Sequence, residues 1–155
     1  MSEDEFRLQC KTLLETGWPA YLTTIDDDGY PQTRAMFNLR NKKRYPKLIP
    51  FFKKQGEFTI VFSTNTSSTK VNDIKNNSAV SVYFCEPEST KGTMFGGNIE
   101  IVDDVGIKKE LWHDGWERYY PMGYNDPDHT VIRLQPKKAK GWTGSRTFEI
   151  SVSDV

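Results

Sequence analysis

The chain has 155 residues, the size of one ordinary domain, and its 21 basic residues balance 21 acidic ones. Hydrophobic residues make up 36% and aromatic residues 13%, which argues against a disordered chain and predicts a core rich in rings. With no net charge, the molecule as a whole exerts no field that would draw it to nucleic acid or to an anionic membrane. We therefore expect a single globular domain over residues 1–155.

The N-terminus, MSEDEFRLQC, is acidic and polar, whereas a secretory signal has a basic start followed by an apolar run. No later stretch approaches membrane-spanning length, so we expect a cytoplasmic protein. Cys10 and Cys85 are far apart and lack CxxC spacing or a nearby pair of histidines. We expect both to be buried free thiols, and no metal site is predicted.

The first predicted elements are a helix and a β-hairpin. Ser2 and Glu5 form a capping-box pattern, and apolar residues then recur at helical spacing until Gly17. Two β-prone runs, 20–25 and 32–39, flank the sequence DDDG. Three aspartates are also a feature of calcium loops, but the other ligands of such a loop do not follow, so a tight turn is favoured.

Residues 40–54 form a segment with seven basic residues, no acidic residue and two prolines. The prolines oppose regular structure, so we expect a connecting segment with a positively charged surface. Basic residues interleaved with Tyr45, Phe51 and Phe52 are also typical of proteins that bind single-stranded nucleic acid, although solvated lysines over a few anchoring aromatics are commoner. Nucleic acid is therefore kept only as a minor alternative.

The rest of the chain is predicted to be mostly strand. A helix of two turns is expected at 69–76, and a longer helix is expected from Asp103 or Asp104 to Tyr120. Strands are predicted at 58–62, 79–85, 93–102, 129–135 and 139–143, and residues 144–155 are expected to form a loosely held tail. Six or seven short strands with few helices favour a mainly β fold that forms a closed or nearly closed barrel.

The segment 63–70 has the residue types that a phosphate needs. It reads STNTSSTK, with six hydroxyl side chains in eight positions between a predicted strand and a predicted helix. Lys70 falls in the first helical turn, where the helix dipole disfavours a cation unless an anion compensates. A bound dianion would do so, and Asp73 would do so in part. Taken alone, the segment is explained equally well as an ordinary capping loop.

Arg34 lies in the middle of a predicted strand, where it needs an anionic partner or a solvent-facing side. Its surroundings, PxxRxM after a DDDG turn and before a strand ending in TNTSSxK, resemble the FMN-binding split-barrel family of pyridoxamine 5'-phosphate oxidase-like proteins. Aromatic, glycine and Asp-Pro-Asp positions between Trp112 and Trp142 resemble its general stress protein 26-like branch. The resemblance covers roughly residues 6–143 and implies a split β-barrel of six to seven strands.

This resemblance implies a flavoprotein in which FMN lies at a homodimer interface. It implies that Arg34, Ser68 and Lys70 hold the phosphate, that residues 35–37 run beside the isoalloxazine ring, and that Trp142 reaches toward the flavin from its own or the partner subunit. The cofactor-binding residues implied are Arg34, Ala35, Met36, Phe37, Ser63, Thr64, Ser68, Thr69, Lys70 and Trp142.

Two positions depart from the pattern of the oxidase itself. Leu39 stands where the oxidase has a lysine, and Arg40, one residue later in an extended chain, points to the opposite face. Thr69 replaces an arginine of the oxidase loop. The C-terminal arginine and histidine pattern that receives pyridoxamine phosphate is not evident either. We therefore do not expect a protein that makes pyridoxal phosphate.

The remaining candidate residues are aromatic residues and histidines near the end of the predicted long helix. Four rings share one predicted helix face, and packing in the core or in a dimer is favoured over ligand contact. These rings are Trp112, Trp116, Tyr119 and Tyr120. His113 and His129 lack a matched acid or nucleophile nearby in sequence, so surface or satisfied-core roles are favoured.

Three functions remain open at this point, and no catalytic residue has been identified. The first is an FMN-dependent oxidoreductase acting on a small molecule, in which the cofactor does the chemistry. The second is a non-catalytic stress-related or sensory protein that binds flavin, haem or a deazaflavin. The third is a nucleic-acid binder that uses residues 40–54.

Overall fold

A computed structural model describes residues 1–152 as one antiparallel sheet of eight strands with helices packed around it. The strands are β1 Ala20–Ile25, β2 Pro31–Met36, β3 Ile60–Asn65, β4 Ala79–Glu86, β5 Lys91–Val102, β6 His129–Leu134, β7 Lys138–Thr143 and β8 Arg146–Ser151. The α-helices are α1 Glu3–Thr16, α2 Ile49–Lys53, α3 Thr69–Asn76 and α4 Val105–Leu111. Within residues 1–152, no helix is both long and apolar enough to cross a membrane.

The sheet runs in the order β2-β1-β4-β5-β6-β3, with β7 paired to β5 and β8 paired to β7. β5 changes partners along its length, because residues 91–96 pair with β7 and residues 99–102 pair with β6. Gly96 and Gly97 lie where the partner changes, and glycines inside a strand commonly mark such a bend. The sheet therefore curls into a half-barrel, and the predicted mainly β fold with flanking helices is confirmed.

The main core lies between the inside of the half-barrel and α1. The predicted capping box is present, since the Glu5 N–H donates to the Ser2 hydroxyl at 3.2 Å and the Ser2 N–H donates to the Glu5 carboxylate at 3.1 Å. Fully burying one large apolar side chain stabilises a fold by roughly 1.5–3 kcal/mol. On α1 the buried apolar residues are Phe6, Cys10, Leu13 and Leu14.

The two thiols differ in their surroundings, and both are free. Cys10 is buried, as predicted, and burial raises the pKa of its thiol to about 11. Cys85 is only half-buried, so the prediction of two buried thiols is wrong for this residue. It lies on β4 at a position facing away from the core, because neighbouring residues of a strand point to opposite faces.

A second apolar cluster covers the other side of β3 and β6. Val61 and Val131 are buried although they neighbour Phe62 and Ile132, which face the main core. Both faces of these two strands are therefore covered by protein. The residues packed on the second side come from the connector after β2 and from the α4 region: Leu39, Tyr45, Leu48, Phe51, Phe52, Leu111, Trp116 and Tyr120.

The long helix expected to reach Tyr120 is wrong beyond Leu111. Asp104 caps α4, with its carboxylate accepting from the Ile107 N–H at 3.1 Å. The chain then leaves helical geometry at residue 112, and Gly115 adopts a φ of 98°. A residue in the left-handed region ends a right-handed helix, and glycine adopts it without steric cost. A short 3₁₀ turn at Trp116–Arg118 replaces the expected helical turns.

The loosely held tail expected after residue 143 is also wrong for 146–151, which form β8 and pair with β7. Phe148 stacks on Phe6 with ring centroids 5.2 Å apart, and Ile150 is buried. These apolar contacts hold β8 in place. With β8, the sheet has more strands than the predicted six or seven. Residues 153–155 of the expected tail lie outside the described residues.

The connector between β2 and β3 has little regular structure, as expected, apart from α2 and a 3₁₀ turn at Pro46–Leu48. Its aromatic residues Tyr45, Phe51 and Phe52 are buried in the second cluster rather than exposed for stacking on nucleic-acid bases. Arg40 is also buried. The prediction of a positively charged surface is therefore wrong for Arg40, because this residue points into the protein.

Candidate functional site

A cleft of about 210 Å³ opens where the two end strands of the sheet, β2 and β3, approach each other. The curl of the sheet explains this meeting, since β2 and β3 are far apart in strand order. Six of the predicted site residues line the cleft: Ala35, Met36, Phe37, Ser63, Thr64 and Lys70. Asn65 and the aromatic residues Trp116, Tyr119 and Tyr120 complete its wall.

Lys70 stands in the first turn of α3, as predicted, and its ammonium donates to the Thr64 hydroxyl at 2.9 Å. Burial lowers the pKa of Lys70, and the nearby charge of Arg34 lowers it further. No ion pair joins this ammonium to a carboxylate within residues 1–152. A cation that is partly desolvated, close to a second cation and placed at the positive end of a helix is a site that attracts an anion.

Arg34 faces the inside of the half-barrel, opposite Leu22 in the register. Its Nη1 donates to the Thr24 hydroxyl at 2.7 Å, and its Nη2 lies 3.8 Å from the Asp73 carboxylate. Asp73, only 5% exposed, also accepts from the Thr24 hydroxyl at 2.9 Å. The arginine therefore has a carboxylate partner inside its own chain, whereas Lys70 forms no ion pair within residues 1–152.

Ser68 precedes α3 as its N-cap residue, but its hydroxyl makes no capping bond to the helix. This hydroxyl is buried and has no hydrogen-bond partner within residues 1–152. A buried polar atom without a partner costs roughly 1–3 kcal/mol. Thr69, which follows it, is exposed. The Ser68 and Val71 N–H groups donate to the carbonyls of Asn65 and Ser68, at 3.0 and 3.2 Å, so the Ser68 hydroxyl is the group at this helix start that has no partner within residues 1–152.

Asp128 holds the segment 63–70 in place from the start of β6. Its carboxylate accepts from the Asn65 side chain at 2.7 Å and from the Ser67 N–H at 2.8 Å, while its carbonyl accepts from the Thr66 N–H at 2.8 Å. The hydrogen bond from Asn65 is the largest of the effects that lower the pKa of this carboxyl group. Sequence reasoning gave Asp128 no role, because its contacts are distant in sequence.

Ser63 on β3 and His129 on β6 are diagonal neighbours across these paired strands. His129 is 1% exposed; its Nδ1 lies 2.6 Å from the Tyr124 carbonyl, and its Nε2 lies 3.1 Å from the Ser63 hydroxyl. Burial lowers the pKa of this ring, which favours its neutral form. A carbonyl only accepts, so Nδ1 carries the proton and Nε2 accepts from Ser63. The Ser63 oxygen is left as an acceptor toward the cleft.

This geometry agrees with the satisfied-core role favoured for His129 and with the core packing favoured for Trp116 and Tyr120, and it adds a second role for the aromatic residues. Trp116 and Tyr120 are buried in the second cluster as expected, yet both also line the cleft together with the exposed ring of Tyr119. Helical spacing placed the rings on one face but carried no information about what that face meets. Their place in the wall of the cleft was therefore not predicted from the sequence.

Trp142 lies away from the cleft within one chain. It stacks on Tyr83 with ring centroids 5.4 Å apart on the outer face of the sheet. Gly92 makes room for this stack, because a Cβ at that position would lie 2.6 Å from the Trp142 ring and 2.6 Å from the Tyr83 hydroxyl. The structure thus brings six of the ten predicted residues into one cleft. Arg34, Ser68, Thr69 and Trp142 are not among its lining residues.

Comparisons with known proteins agree with this architecture. A family model described as pyridoxamine 5'-phosphate oxidase like matches residues 20–153. None of the curated proteins is detectably similar in sequence to the chain. Among solved structures, a protein of Clostridium acetobutylicum related to general stress protein 26 of B. subtilis has a TM-score of 0.78 and 28% identity, covering 97% of both chains.

Two further solved structures share the fold at lower identity. A heme binding protein of Mycobacterium smegmatis has a TM-score of 0.65 and 11% identity, covering 94% of this chain and 57% of that one. An F420 reductase has a TM-score of 0.56 and 22% identity, covering 83% of this chain and 94% of that one.

Proposed function

Because the chain belongs to the pyridoxamine 5'-phosphate oxidase-like family, we propose that it is a cytoplasmic FMN-binding flavoprotein that acts as an oxidoreductase on a small molecule. The observation that carries the proposal is the buried, unpartnered hydroxyl of Ser68 two positions before Lys70, whose ammonium donates to a hydroxyl but forms no ion pair within residues 1–152, at the start of α3. A phosphate monoester supplies acceptors for both groups. Phosphate binding at such helix starts is a recurring arrangement in proteins.

On this proposal the phosphate is held by Ser68, Lys70 and the first N–H groups of α3, with Arg34 behind them. Arg34 keeps its contact with Asp73 and contributes through charge rather than through a forked pair. The bound dianion also relieves the repulsion between Arg34 and Lys70 that lowers the pKa of Lys70. These residues fit a phosphate because it accepts a hydrogen bond from the unpartnered Ser68 hydroxyl and offsets the positive charge of Lys70.

The flavin ring is assigned to the cleft between residues 35–37 and the aromatic wall. The Ser63 oxygen is an acceptor there, and an N–H on the ring edge is the donor that it suits. Met36 is buried below the cleft and Phe37 is half-exposed at its rim, stacked on Trp18 with ring centroids 5.7 Å apart. This chain's residues orient the ring and exclude water, while bound FMN supplies the electron-transfer chemistry.

A second copy of the chain is proposed to complete the site. The cleft of one chain, about 210 Å³, is below the roughly 300–1,000 Å³ of ordinary small-molecule sites. A continuous row of side chains, Ala35, Tyr21, Tyr83 and Met94, leads from the cleft across the outer face of the sheet. A homodimer formed through this face would bring Trp142, which stacks on Tyr83, toward the partner's cleft.

The substrate is proposed to differ from pyridoxamine phosphate. Leu39, at the position where the oxidase resemblance calls for a lysine, is 2% exposed and packs in the second apolar cluster. Arg40 donates to the Thr59 carbonyl instead of reaching the cleft. The missing cationic contact is therefore not replaced from a neighbouring position.

A non-catalytic cofactor-binding protein is the second candidate. The names of two structural neighbours, a heme binding protein and an F420 reductase, make haem and a deazaflavin the alternatives to FMN. Both ring nitrogens of His129 are already engaged, so this residue would bind haem iron only after losing one of its partners. A deazaflavin that carries a phosphate group makes the same demands on Ser68 and Lys70 as FMN and is the stronger alternative.

The proposal is tested by cofactor titration of the purified chain with FMN, a deazaflavin and haemin, followed by turnover assays. We expect FMN to bind saturably with a shifted visible spectrum, and bound FMN to be reduced by NADH or NADPH and reoxidised over many cycles. Bound FMN that no reductant turns over would favour the non-catalytic candidate. No spectral shift with FMN would remove the leading one.

A further inference from the structure

A second cavity, of about 390 Å³, lies between α1 and the connector after β2. It shares no lining residue with the cleft between β2 and β3. Its walls combine the apolar side chains of Leu39, Tyr45, Ile49 and Phe52 with several charged ones. The volume falls within the range of ordinary small-molecule sites. The FMN proposal makes no use of this cavity.

Arg40 is the charged group at the inner wall of the cavity and is only 9% exposed. Its Nη1 donates to the Thr59 carbonyl at 2.8 Å, and its guanidinium carbon lies 5.2 Å from the centre of the Phe52 ring. No ion pair joins it to a carboxylate in the part of the chain that the structure describes. Burial lowers its pKa to about 10, and the charge of Glu57 offsets this only in part.

Arginine is rarely buried without a partner, because taking a cation out of water is costly unless an anion and hydrogen bonds compensate. The guanidinium has five N–H donors, and one recorded hydrogen bond, to the Thr59 carbonyl, leaves most of them available. Their planar fork matches a carboxylate or a phosphate. Arg40 therefore provides the positive end of an anion site that the chain itself does not fill.

The other charged residues around the cavity also favour binding of an anion. The lining holds four cations, Arg40, Lys11, Lys42 and Lys53, and two carboxylates. Glu15 is already paired with Lys42. The second carboxylate, Glu57, lies 3.8 Å from an Arg7 nitrogen. Once these pairs are formed, the net charge facing the cavity is positive.

We propose that this cavity binds a small organic anion, with its phosphate or carboxylate head on Arg40 and its apolar body against Tyr45, Ile49 and Phe52. Lys11 and Lys53 at the cavity wall add attraction for the head group. Single-stranded nucleic acid fits the site less well, since the aromatic rings of the connector are buried and have no exposed face for stacking. The basic residues of this segment thus serve a small ligand.

The test is an NMR titration of the ¹⁵N-labelled full chain with phenyl phosphate, benzoate and the neutral benzyl alcohol. We expect at least one of the two anions to shift the amide resonances of residues 39–57 saturably, and benzyl alcohol to bind at least about tenfold more weakly. The tighter of the two anions identifies the head group. No saturable shift in 39–57, or equal binding of benzyl alcohol, would overturn the proposal.

Variants separate this cavity from the proposed FMN site. Arg40→Met is expected to weaken anion binding about tenfold or more, because a charge-assisted hydrogen bond is lost while side-chain volume is kept. Lys53→Met, a milder change at the cavity wall, is expected to weaken it less. Lys75→Met, on the exposed side of α3, is the matched control and is expected to leave it unchanged. Undiminished binding by Arg40→Met would contradict the proposal.

Two further measurements distinguish this proposal from a single shared site and from a nucleic-acid surface. Lys70→Ala removes the lysine assigned to the FMN phosphate and is expected to leave the shifts in residues 39–57 unchanged. Their loss in Lys70→Ala would mean that one site is being observed, not two. A single-stranded oligonucleotide that shifts residues 39–57 with steep salt dependence, where both small anions fail, would replace the cavity with a nucleic-acid surface.

Discussion

Arg34 and Arg40 lie six positions apart and are both desolvated, yet the protein treats their charges differently. Arg34 has a buried carboxylate, Asp73, at 3.8 Å and a hydroxyl at 2.7 Å, whereas Arg40 has a carbonyl and an aromatic face but no ion pair within residues 1–152. The first arginine is part of the internal framework of its site. The second keeps its charge available to a ligand.

Replacing the two arginines in turn should change the free energy of unfolding by clearly different amounts. Arg34→Met leaves the carboxylate of Asp73 buried without its cation, so we expect the free energy of unfolding to fall by about 3 kcal/mol. Arg40→Met leaves no carboxylate behind but does leave the Thr59 carbonyl without its donor, so the loss should be smaller, about 1 kcal/mol. Urea unfolding of both variants measures the difference. Equal losses would show that the two arginines are compensated alike.

Burial lowers the pKa of His129 and makes folding stability depend on pH. Below its ordinary pKa of about 6.5, the unfolded chain takes up a proton that the folded chain does not bind. Folding stability is therefore expected to fall as the pH drops from about 6.5 through the lowered folded pKa, and to be independent of this group above pH 7. Urea midpoints across pH 5–8 measure the slope.

A matched pair of variants tests whether His129 causes this pH dependence of stability. His129→Gln should flatten it, while His113→Gln, at an exposed position, keeps the contacts of His129 and should retain it. His129→Gln also removes the acceptor of the Ser63 hydroxyl proton, so some loss of stability at all pH values is expected. A slope that survives in His129→Gln would assign the pH dependence to other groups.

Two serines at helix starts should differ by a smaller amount in what they contribute to stability. Ser2 accepts from the Glu5 N–H, and Ser2→Ala should cost about 1 kcal/mol, as the loss of an N-cap usually does. Ser68 makes no such bond, so Ser68→Ala in the cofactor-free protein should cost little or nothing. Thermal unfolding of both variants without flavin measures this contrast. A cost for Ser68→Ala as large as for Ser2→Ala would mean that Ser68 is a capping residue and not a ligand.

Local chemistry carried most of what the sequence predicted correctly. The capping box at Ser2, the hairpin around DDDG and the bounds of α3 at 69–76 all follow from residues close in sequence. The need of Arg34 for an anionic partner was also predictable, because an arginine inside a strand raises it by residue type alone. Asp73 was expected to compensate Lys70 in part, but the structure pairs it with Arg34. The resemblance to the pyridoxamine 5'-phosphate oxidase-like family is confirmed by the family match.

What the sequence did not predict depends on long-range packing. The α4 region turns at Gly115, and the aromatic residues that follow reach the cleft only because of that turn. Arg40 is buried because the connector folds over the outer side of β3, which no local pattern signals. β8 is held by the stack of Phe148 on Phe6, a contact between the two ends of the chain.

The most direct test of the central claim compares FMN with riboflavin, which lacks only the phosphate. We expect the wild-type chain to bind FMN roughly 10- to 100-fold more tightly than riboflavin, because the phosphate accepts charge-assisted hydrogen bonds. Lys70→Ala should remove most of that difference, and Lys75→Ala, in the last turn of the same helix, should preserve it. Equal affinity of the wild-type chain for FMN and riboflavin would contradict a phosphate site at Ser68 and Lys70.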